Sequence, residues 1–160
     1  MSDIVQLLLT ALELQRQGHH MYARAATRVG DPVARAVLLA LAQDERAHES
    51  IIRRSYDALA RGKRMARADA QAKVPEQTFK RVKQIVGATC RQILQNPTYV
   101  GIYESARDME ARSCDLYRDL AAQASSREAV RFLQLLATAE HTHMEALGHF
   151  VEATRGAAAA

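Results

Sequence analysis

Two copies of a Glu-x-x-His motif are the residues of this chain whose types and spacing best suit metal chemistry. The first copy is Glu45 and His48, and the second is Glu140 and His143. Residues three apart share one face of an α-helix, and around each motif that face is otherwise apolar. Its apolar members are Leu38, Leu41 and Ile52 in the first case and Leu133, Leu136 and Leu147 in the second. A buried carboxylate has to be paired, protonated or bound to a metal, so the pattern predicts a polar site inside a helical core.

A third carboxylate and an amide extend this inward-facing set. Glu110 precedes Glu140 by 30 residues, and Gln15 precedes Glu45 by the same interval. Each pair of helices thus offers one polar residue from its first helix and a Glu-x-x-His motif from its second, which is the ligand plan of dinuclear metal sites in helix bundles. Carboxylates combined with imidazole suit iron or manganese, and zinc also fits. The alternative is a buried Glu–His hydrogen-bond network that holds no metal.

The two motifs belong to an internal repeat. Displaced by 95 residues, the chain matches itself without gaps at helical spacing over a whole helical hairpin. The identical pairs include Ala11/Ala106, Tyr22/Tyr117, Ala34/Ala129, Leu38/Leu133, Glu45/Glu140 and His48/His143. Two copies of one hairpin joined by a long connection form a four-helix bundle with a crossover. We therefore predict one all-α domain over residues 1–160, with the first repeat at about 3–61, the connection at about 62–96 and the second repeat at about 97–155.

Helix-end signals give the expected boundaries of these elements. Asp31 and Pro32 read as an N-cap and a first-turn proline, Asn96-Pro97 reads as the cap of a later helix, and Ser125 has capping-box spacing to Glu128. The helices are expected to begin at about residues 3, 32, 75, 97 and 125, and the four long ones to end near residues 29, 60, 123 and 155. The helix that begins at residue 75 is an extra short helix within the crossover, preceded by a linker.

Composition and charge indicate which partners and which cellular location to expect. The formal charge is +4, and the densest basic stretch, residues 61–67, has no interleaved aromatic residue, which is typical of a solvated loop and not of a nucleic-acid surface. Cys90 and Cys114 form no CxxC pair, so neither a zinc ribbon nor a redox dithiol is expected. The apolar N-terminal run is too short to span a bilayer and lacks a basic n-region. A cytoplasmic protein that binds neither nucleic acid nor membrane is the expectation.

The chain resembles the rubrerythrin branch of the ferritin-like superfamily over nearly its whole length. The residues that carry the resemblance are Glu45-Arg-Ala-His48, Glu140-His-Thr-His143, Glu110 and the two tyrosines seven residues after the first-helix positions, Tyr22 and Tyr117. The resemblance implies a ferritin-like four-helix bundle with two metal ions, iron foremost, and with manganese or zinc as substitutes.

The same resemblance implies a role for each matching residue. Glu45 and Glu140 would bridge the two metals, and Glu110 would be a terminal carboxylate ligand. His48 and His143 would each be the terminal ligand of one metal, and we expect them to flank the three glutamates on opposite sides. The two tyrosines would donate hydrogen bonds that orient the carboxylates.

The chain departs from the family pattern at Gln15, where a glutamate is expected. Three carboxylates leave one positive charge of two divalent ions uncompensated, so the metal beside Glu110 should bind tightly and its neighbour weakly, or only with an added anion. Gln15 would then be either a weak ligand or a core residue satisfied by the Glu–His cluster. His19, whose repeat partner is Cys114, is a candidate substitute ligand, whereas surface positions are expected for His20, His141 and His149. We also expect the metal-free protein to tolerate the loss of Glu140, because clustered carboxylates raise one another's pKa.

Two functions are compatible with these residues. The first is a dinuclear iron protein acting as a peroxidase or oxidase on peroxide or dioxygen. Rubrerythrins proper carry a rubredoxin module with two CxxC pairs, which these residues lack, so an external electron-donor protein would be needed. The alternative is a degenerate ferritin-like module with an incomplete site, which stores metal or binds a partner without turnover. Metal content per chain distinguishes the two, and a homodimer is compatible with either.

Overall fold

The computed structural model describes residues 3–62 and 76–158, and all the regular structure in those ranges is α-helical. The helices are α1 (Asp3–Ala26), α2 (Pro32–Gly62), α3 (Glu76–Gln95), α4 (Tyr99–Gln123) and α5 (Arg127–Ala158). The all-α prediction is confirmed. The predicted linker, its basic stretch and the opening residue Pro75 fall mostly on residues 63–75, which lie outside the described residues.

The repeat predicted the architecture. Helices α1 and α2 pack together as one hairpin and α4 and α5 as the other, while α2 contacts α4 and α1 contacts α5 across the bundle. Side chains from both hairpins are wholly buried in one core, including those of Leu8, Leu38, Ile102 and Leu133. Burial of such side chains is the main favourable contribution to folding. The four long helices therefore form a bundle around a shared interior.

The crossover contains one further helix at the expected place. α3 has 20 residues and is shorter than each of the other four helices. Val82, Ile85, Thr89 and Ile93 are buried on one of its faces, and α3 packs against α1 and α4, the first helices of the two hairpins. One side of the bundle is therefore covered by the crossover.

Two of the predicted helix caps are displaced by one or two residues. Asp31 caps α2 as predicted, because its Oδ1 accepts a hydrogen bond of 2.7 Å from the Ala34 N–H. The N-cap of α4 is Thr98 and not Asn96-Pro97, since the Thr98 hydroxyl accepts from the Gly101 N–H at 3.1 Å. The N-cap hydroxyl of α5 belongs to Ser126 and not to Ser125, and it accepts from the Ala129 N–H at 3.1 Å.

The ends of α1 and α5 also shift. α1 stops at Ala26, three residues before the predicted end, because Thr27 and Arg28 form a turn whose N–H groups donate to the carbonyls of Arg24 and Ala25. α5 continues to Ala158, beyond the predicted end at Arg155. Among the helices of the described ranges, none combines the length and apolarity needed to cross a membrane.

Candidate metal centre

The predicted polar residues meet in the middle of the bundle. Four of them are buried, with exposed fractions of 2% for Gln15, 4% for Glu45, 6% for Glu110 and 3% for Glu140. α1 and α4 each contribute one of these side chains, and α2 and α5 contribute the two motif glutamates. The structure thus brings together one polar side chain from each of the four long helices.

Gln15 connects ligand candidates that stand on two other helices. Its Nε2 donates to Glu140 Oε1 at 2.9 Å, and its Oε1 lies 3.2 Å from His48 Nδ1. Because the amide nitrogen faces a carboxylate, the amide oxygen faces the imidazole, and His48 Nδ1 must carry the hydrogen. The free lone pair of His48 is then on Nε2. Of the two roles considered for Gln15, these contacts correspond to a core residue satisfied by the Glu–His cluster.

The two motif histidines lie face to face. Their rings stack with centroids 4.5 Å apart and planes inclined by only 4°, and the His143 side chain is 38% exposed. The expectation that these histidines flank the carboxylates on opposite sides is therefore wrong. Each histidine follows its glutamate by three residues on a repeat-related helix, so both rings turn to the same side of the site, between α2 and α5.

Three potential ligand atoms are already close together in this arrangement. Within the described residues, one ligand atom each from His48, Glu140 and His143 lies within 4.8 Å of the other two. The lone pair of an imidazole nitrogen lies in the plane of its ring, and two nearly parallel planes do not meet at one ion. The spacing of the rings is comparable to the separation of about 3.5–4 Å between the ions of two-metal sites.

The three carboxylates differ in their electrostatics. Burial raises the pKa of Glu45 well above its usual value, and the nearby charge of Glu140 raises it further. Burial also raises the pKa of Glu110 well above its usual value, and the contact with Glu140 is the next largest cause of this rise. For Glu140, burial alone would raise the pKa, but the contacts with Glu110 and His143 outweigh burial and lower it. The surroundings of Glu140 therefore favour its ionised form, whereas those of Glu45 and Glu110 favour the neutral form.

The same neighbours act on the histidines in opposite directions. Burial is the main cause that lowers the pKa of His48. The contact with Glu140, whose Oε2 is 3.6 Å from His143 Nδ1, raises the pKa of His143. Neutral imidazole is the form that binds metal, and burial favours that form at His48, whereas the contact with Glu140 favours the charged form at His143.

Unsatisfied polar atoms concentrate at this site. In the part of the chain that the structure describes, four buried side-chain oxygens make no hydrogen bond of normal geometry: Tyr22 Oη, Tyr117 Oη, Glu45 Oε2 and Glu140 Oε2. Burial, followed by the charge of Glu45, raises the pKa of Tyr22, and burial followed by the charge of Glu140 raises that of Tyr117. Buried polar atoms without partners are rare. A cation held between the two glutamates would satisfy both carboxylate oxygens, so these residues fit a metal site.

His19 is directed away from a ligand role. Its Nδ1 lies 2.8 Å from the carbonyl oxygen of Ala42, and its repeat partner Cys114 donates to the carbonyl oxygen of Ala137 at 3.3 Å. The two carbonyls are themselves repeat partners, each three residues before a motif glutamate. His19 and Cys114 therefore link the helices of their hairpins, a role missed from the sequence although two hydrogen-bond donors at one repeat position signalled it.

The other three histidines contribute nothing to the cluster within the described residues. His20 and His149 are exposed as predicted, and His141 is only partly buried, with its Nε2 3.5 Å from Glu145 Oε1. Glu13, the other acid near Gln15, is engaged by Arg16 at 2.9 Å. The candidate ligands are thus the inward-facing residues of the two repeats, namely the first-helix polar residues and the two Glu-x-x-His motifs.

Two repeated helical hairpins around a cluster of buried carboxylates define a ferritin-like helix bundle. A model of the rubrerythrin family matches residues 6–151. The chain therefore belongs to the rubrerythrin family, within the ferritin-like di-iron carboxylate superfamily. No curated protein and no solved structure gives a significant match.

Proposed function

We propose that the chain binds two metal ions, iron foremost, and uses them to reduce peroxide or dioxygen. The observation that carries the proposal is the pair of parallel imidazoles beside two glutamates, each of which has one carboxylate oxygen without a hydrogen-bond partner. One ion per histidine agrees with ring planes that do not converge. When bound, the metal pair would supply the redox chemistry.

The residues of the chain would hold and orient these ions. Glu45, Glu110 and Glu140 would supply carboxylate ligands to the pair, while His48 and His143 would each bind one ion. Tyr22 and Tyr117 are wholly buried, and their hydroxyls would donate to the carboxylates and fix their orientation. The apolar packing around the three buried glutamates would keep water from them and strengthen their electrostatic interactions.

Electrons would have to reach the site from a redox group outside these residues. The two cysteines form no CxxC pair, and Cys114 is buried with its thiol donating to a backbone carbonyl. An external electron-donor protein is therefore part of the proposal, and its absence from an assay would leave the reaction dependent on a chemical reductant.

Gln15 would make the two ions unequal. An ion bound by His48 has to compete with the hydrogen bonds that Gln15 makes to His48 and Glu140, and an amide oxygen compensates less charge than a carboxylate. The ion beside Gln15 and His48 would thus bind more weakly than the ion beside Glu110 and His143.

The contacts of Gln15 also favour a second candidate function. They give His48 and one oxygen of Glu140 a hydrogen-bond partner in the absence of metal. This arrangement suits a storage or binding module that holds one ion or none. Elemental analysis after anaerobic loading with ferrous iron, combined with a reductant-dependent peroxide-consumption assay, decides between the two. Bound iron with peroxide consumption supports the redox function, bound iron without consumption supports the second candidate, and a chain without metal contradicts the proposed metal site.

A further inference from the structure

Gly18 of α1 lies against the side chain of Glu45. A Cβ atom at residue 18 would lie 3.2 Å from Cδ and 3.4 Å from Cγ of Glu45, and 2.9 Å from Cε of Met109. Contacts this short are tighter than ordinary van der Waals contact. The carboxylate carbon of Glu45 therefore occupies space that the side chain of any other residue at position 18 would claim.

Among the glycines that the structure describes, only Gly18 would bring an added Cβ against a candidate metal ligand. Glycine in a helix interior is unfavourable relative to alanine, and elsewhere in the described helices it faces no candidate ligand. A Cβ at Gly87 would lie 3.6 Å from Arg91, and one at Gly148 would lie 3.8 Å from Arg107, both ordinary contacts. Gly18 thus lowers the stability of the helix relative to alanine and also lies against a candidate metal ligand.

We infer that Gly18 is a positioning residue, which lets the Glu45 carboxylate lie against α1 in the place where it would bridge two metal ions. The inference rests on the proposed function. Glu45 has little freedom to withdraw, because it is buried and is held by α2 in the same core. Metal–ligand distances lie within about 0.2 Å of their standard values, and a Cβ at residue 18 would require Glu45 Cδ to shift by a few tenths of an ångström.

The second repeat shows that this arrangement is not a requirement of the fold. The repeat partner of Gly18 is Ser113, which has a Cβ and whose hydroxyl donates to the Met109 carbonyl at 2.9 Å. The inward glutamate of that repeat, Glu140, accepts a hydrogen bond from Gln15. Glu45 lies against Gly18 instead, while each of the two glutamates has one oxygen without a hydrogen-bond partner.

The test compares the metal affinity of Gly18→Ala with that of Gly148→Ala, the same change at a helix position with room for a Cβ. Displaced supporting groups weaken metal sites by about 10–100-fold, and we expect Gly18→Ala to bind ferrous iron about tenfold more weakly while Gly148→Ala matches the wild type. Equal affinity of Gly18→Ala and wild type would overturn the inference. The double variant Gly18→Ala with Met109→Ala removes the other short contact and can be measured if the single variant does not fold. If the double variant recovers wild-type affinity, the weaker binding comes from the contact with Met109, and the inference is equally overturned.

A structure of the metal-free variant gives a readout that does not depend on metal. The inference expects Glu45 Cδ to move away from α1 by a few tenths of an ångström in Gly18→Ala, as the two contacts with Glu45 require. An unmoved Glu45 would refute it. A wild type that binds no metal would contradict the proposed function. The metal-free structure would still show whether Gly18 determines the position of Glu45.

Discussion

The buried glutamates of the site differ in what holds them. Each of Glu45 and Glu140 has one carboxylate oxygen with no hydrogen-bond partner, but Glu140 also accepts a hydrogen bond from Gln15 and lies beside His143. Glu45 and Glu110 have raised pKa values, while that of Glu140 is lowered. In the metal-free protein, the contacts of Glu140 thus stabilise its charged form, whereas the surroundings of Glu45 favour its neutral form.

A matched pair of truncations tests this difference in the metal-free protein. Glu140→Ala leaves the Gln15 amide nitrogen without its acceptor in a dry core, and an unsatisfied buried donor costs about 1–3 kcal/mol. Glu45→Ala removes the same atoms without orphaning a donor. We expect urea denaturation to give the lower free energy of unfolding for Glu140→Ala. Equal values for the two variants would show that the Gln15–Glu140 hydrogen bond contributes nothing.

Replacing the amide of Gln15 should act in opposite directions with and without metal. Gln15→Glu places a carboxylate where Gln15 now donates to Glu140, so repulsion should lower the melting temperature of the metal-free variant below that of wild type. With metal, the added charge compensates the second ion, and occupancy after identical loading and desalting should rise toward two ions per chain, the family plan. A wild type that already retains two ions as firmly as the variant would remove Gln15 as the cause of weak binding.

The ligand residues could be predicted from the sequence, but their contacts could not. Two Glu-x-x-His motifs at equivalent repeat positions point inward because helical spacing fixes the face on which they lie. The rotation of one helix relative to its neighbour is not encoded in that spacing, so the stacking of His48 on His143 was not foreseen. The same limit left the role of Gln15 open between ligand and hydrogen-bonding core residue.

At the scale of the elements, the helices exist where periodicity predicts them and begin where one particular hydroxyl reaches a backbone N–H. Asn96 and Thr98 compete for the start of α4, and Ser125 and Ser126 compete for that of α5. Thr98 and Ser126 supply the cap in the structure. The choice depends on backbone geometry at the chain reversal, which composition does not determine.

Removing the α4 cap should destabilise the protein measurably. Thr98→Ala deletes the acceptor for the Gly101 N–H, and loss of an N-cap typically costs about 1 kcal/mol. Thr138→Ala is the matched control, since Thr138 is exposed within α5 and its hydroxyl donates only to the carbonyl one turn earlier. We expect urea denaturation to show the loss for Thr98→Ala alone. A similar loss in both variants would contradict the cap assignment.

At the scale of the whole molecule, the repeat gives two nearly equivalent halves, and a few residues make them different. Gln15 stands opposite Glu110, Gly18 opposite Ser113, and His19 opposite Cys114. α3 covers the side of the bundle formed by α1 and α4, while the two stacked histidines lie between α2 and α5. A two-ion site with unequal halves is the consequence we propose for this broken symmetry.

The most direct test of that site counts ions at saturating ferrous iron in the wild type, His48→Ala, His143→Ala and the double variant, with exposed His20→Ala as control. One histidine per ion predicts about two ions for the wild type and for the control, in line with a dinuclear carboxylate site. It predicts about one for each single variant and none for the double variant, because each imidazole serves its own ion. If either single variant loses all its metal, then both histidines bind the same ion and the two-ion account is wrong.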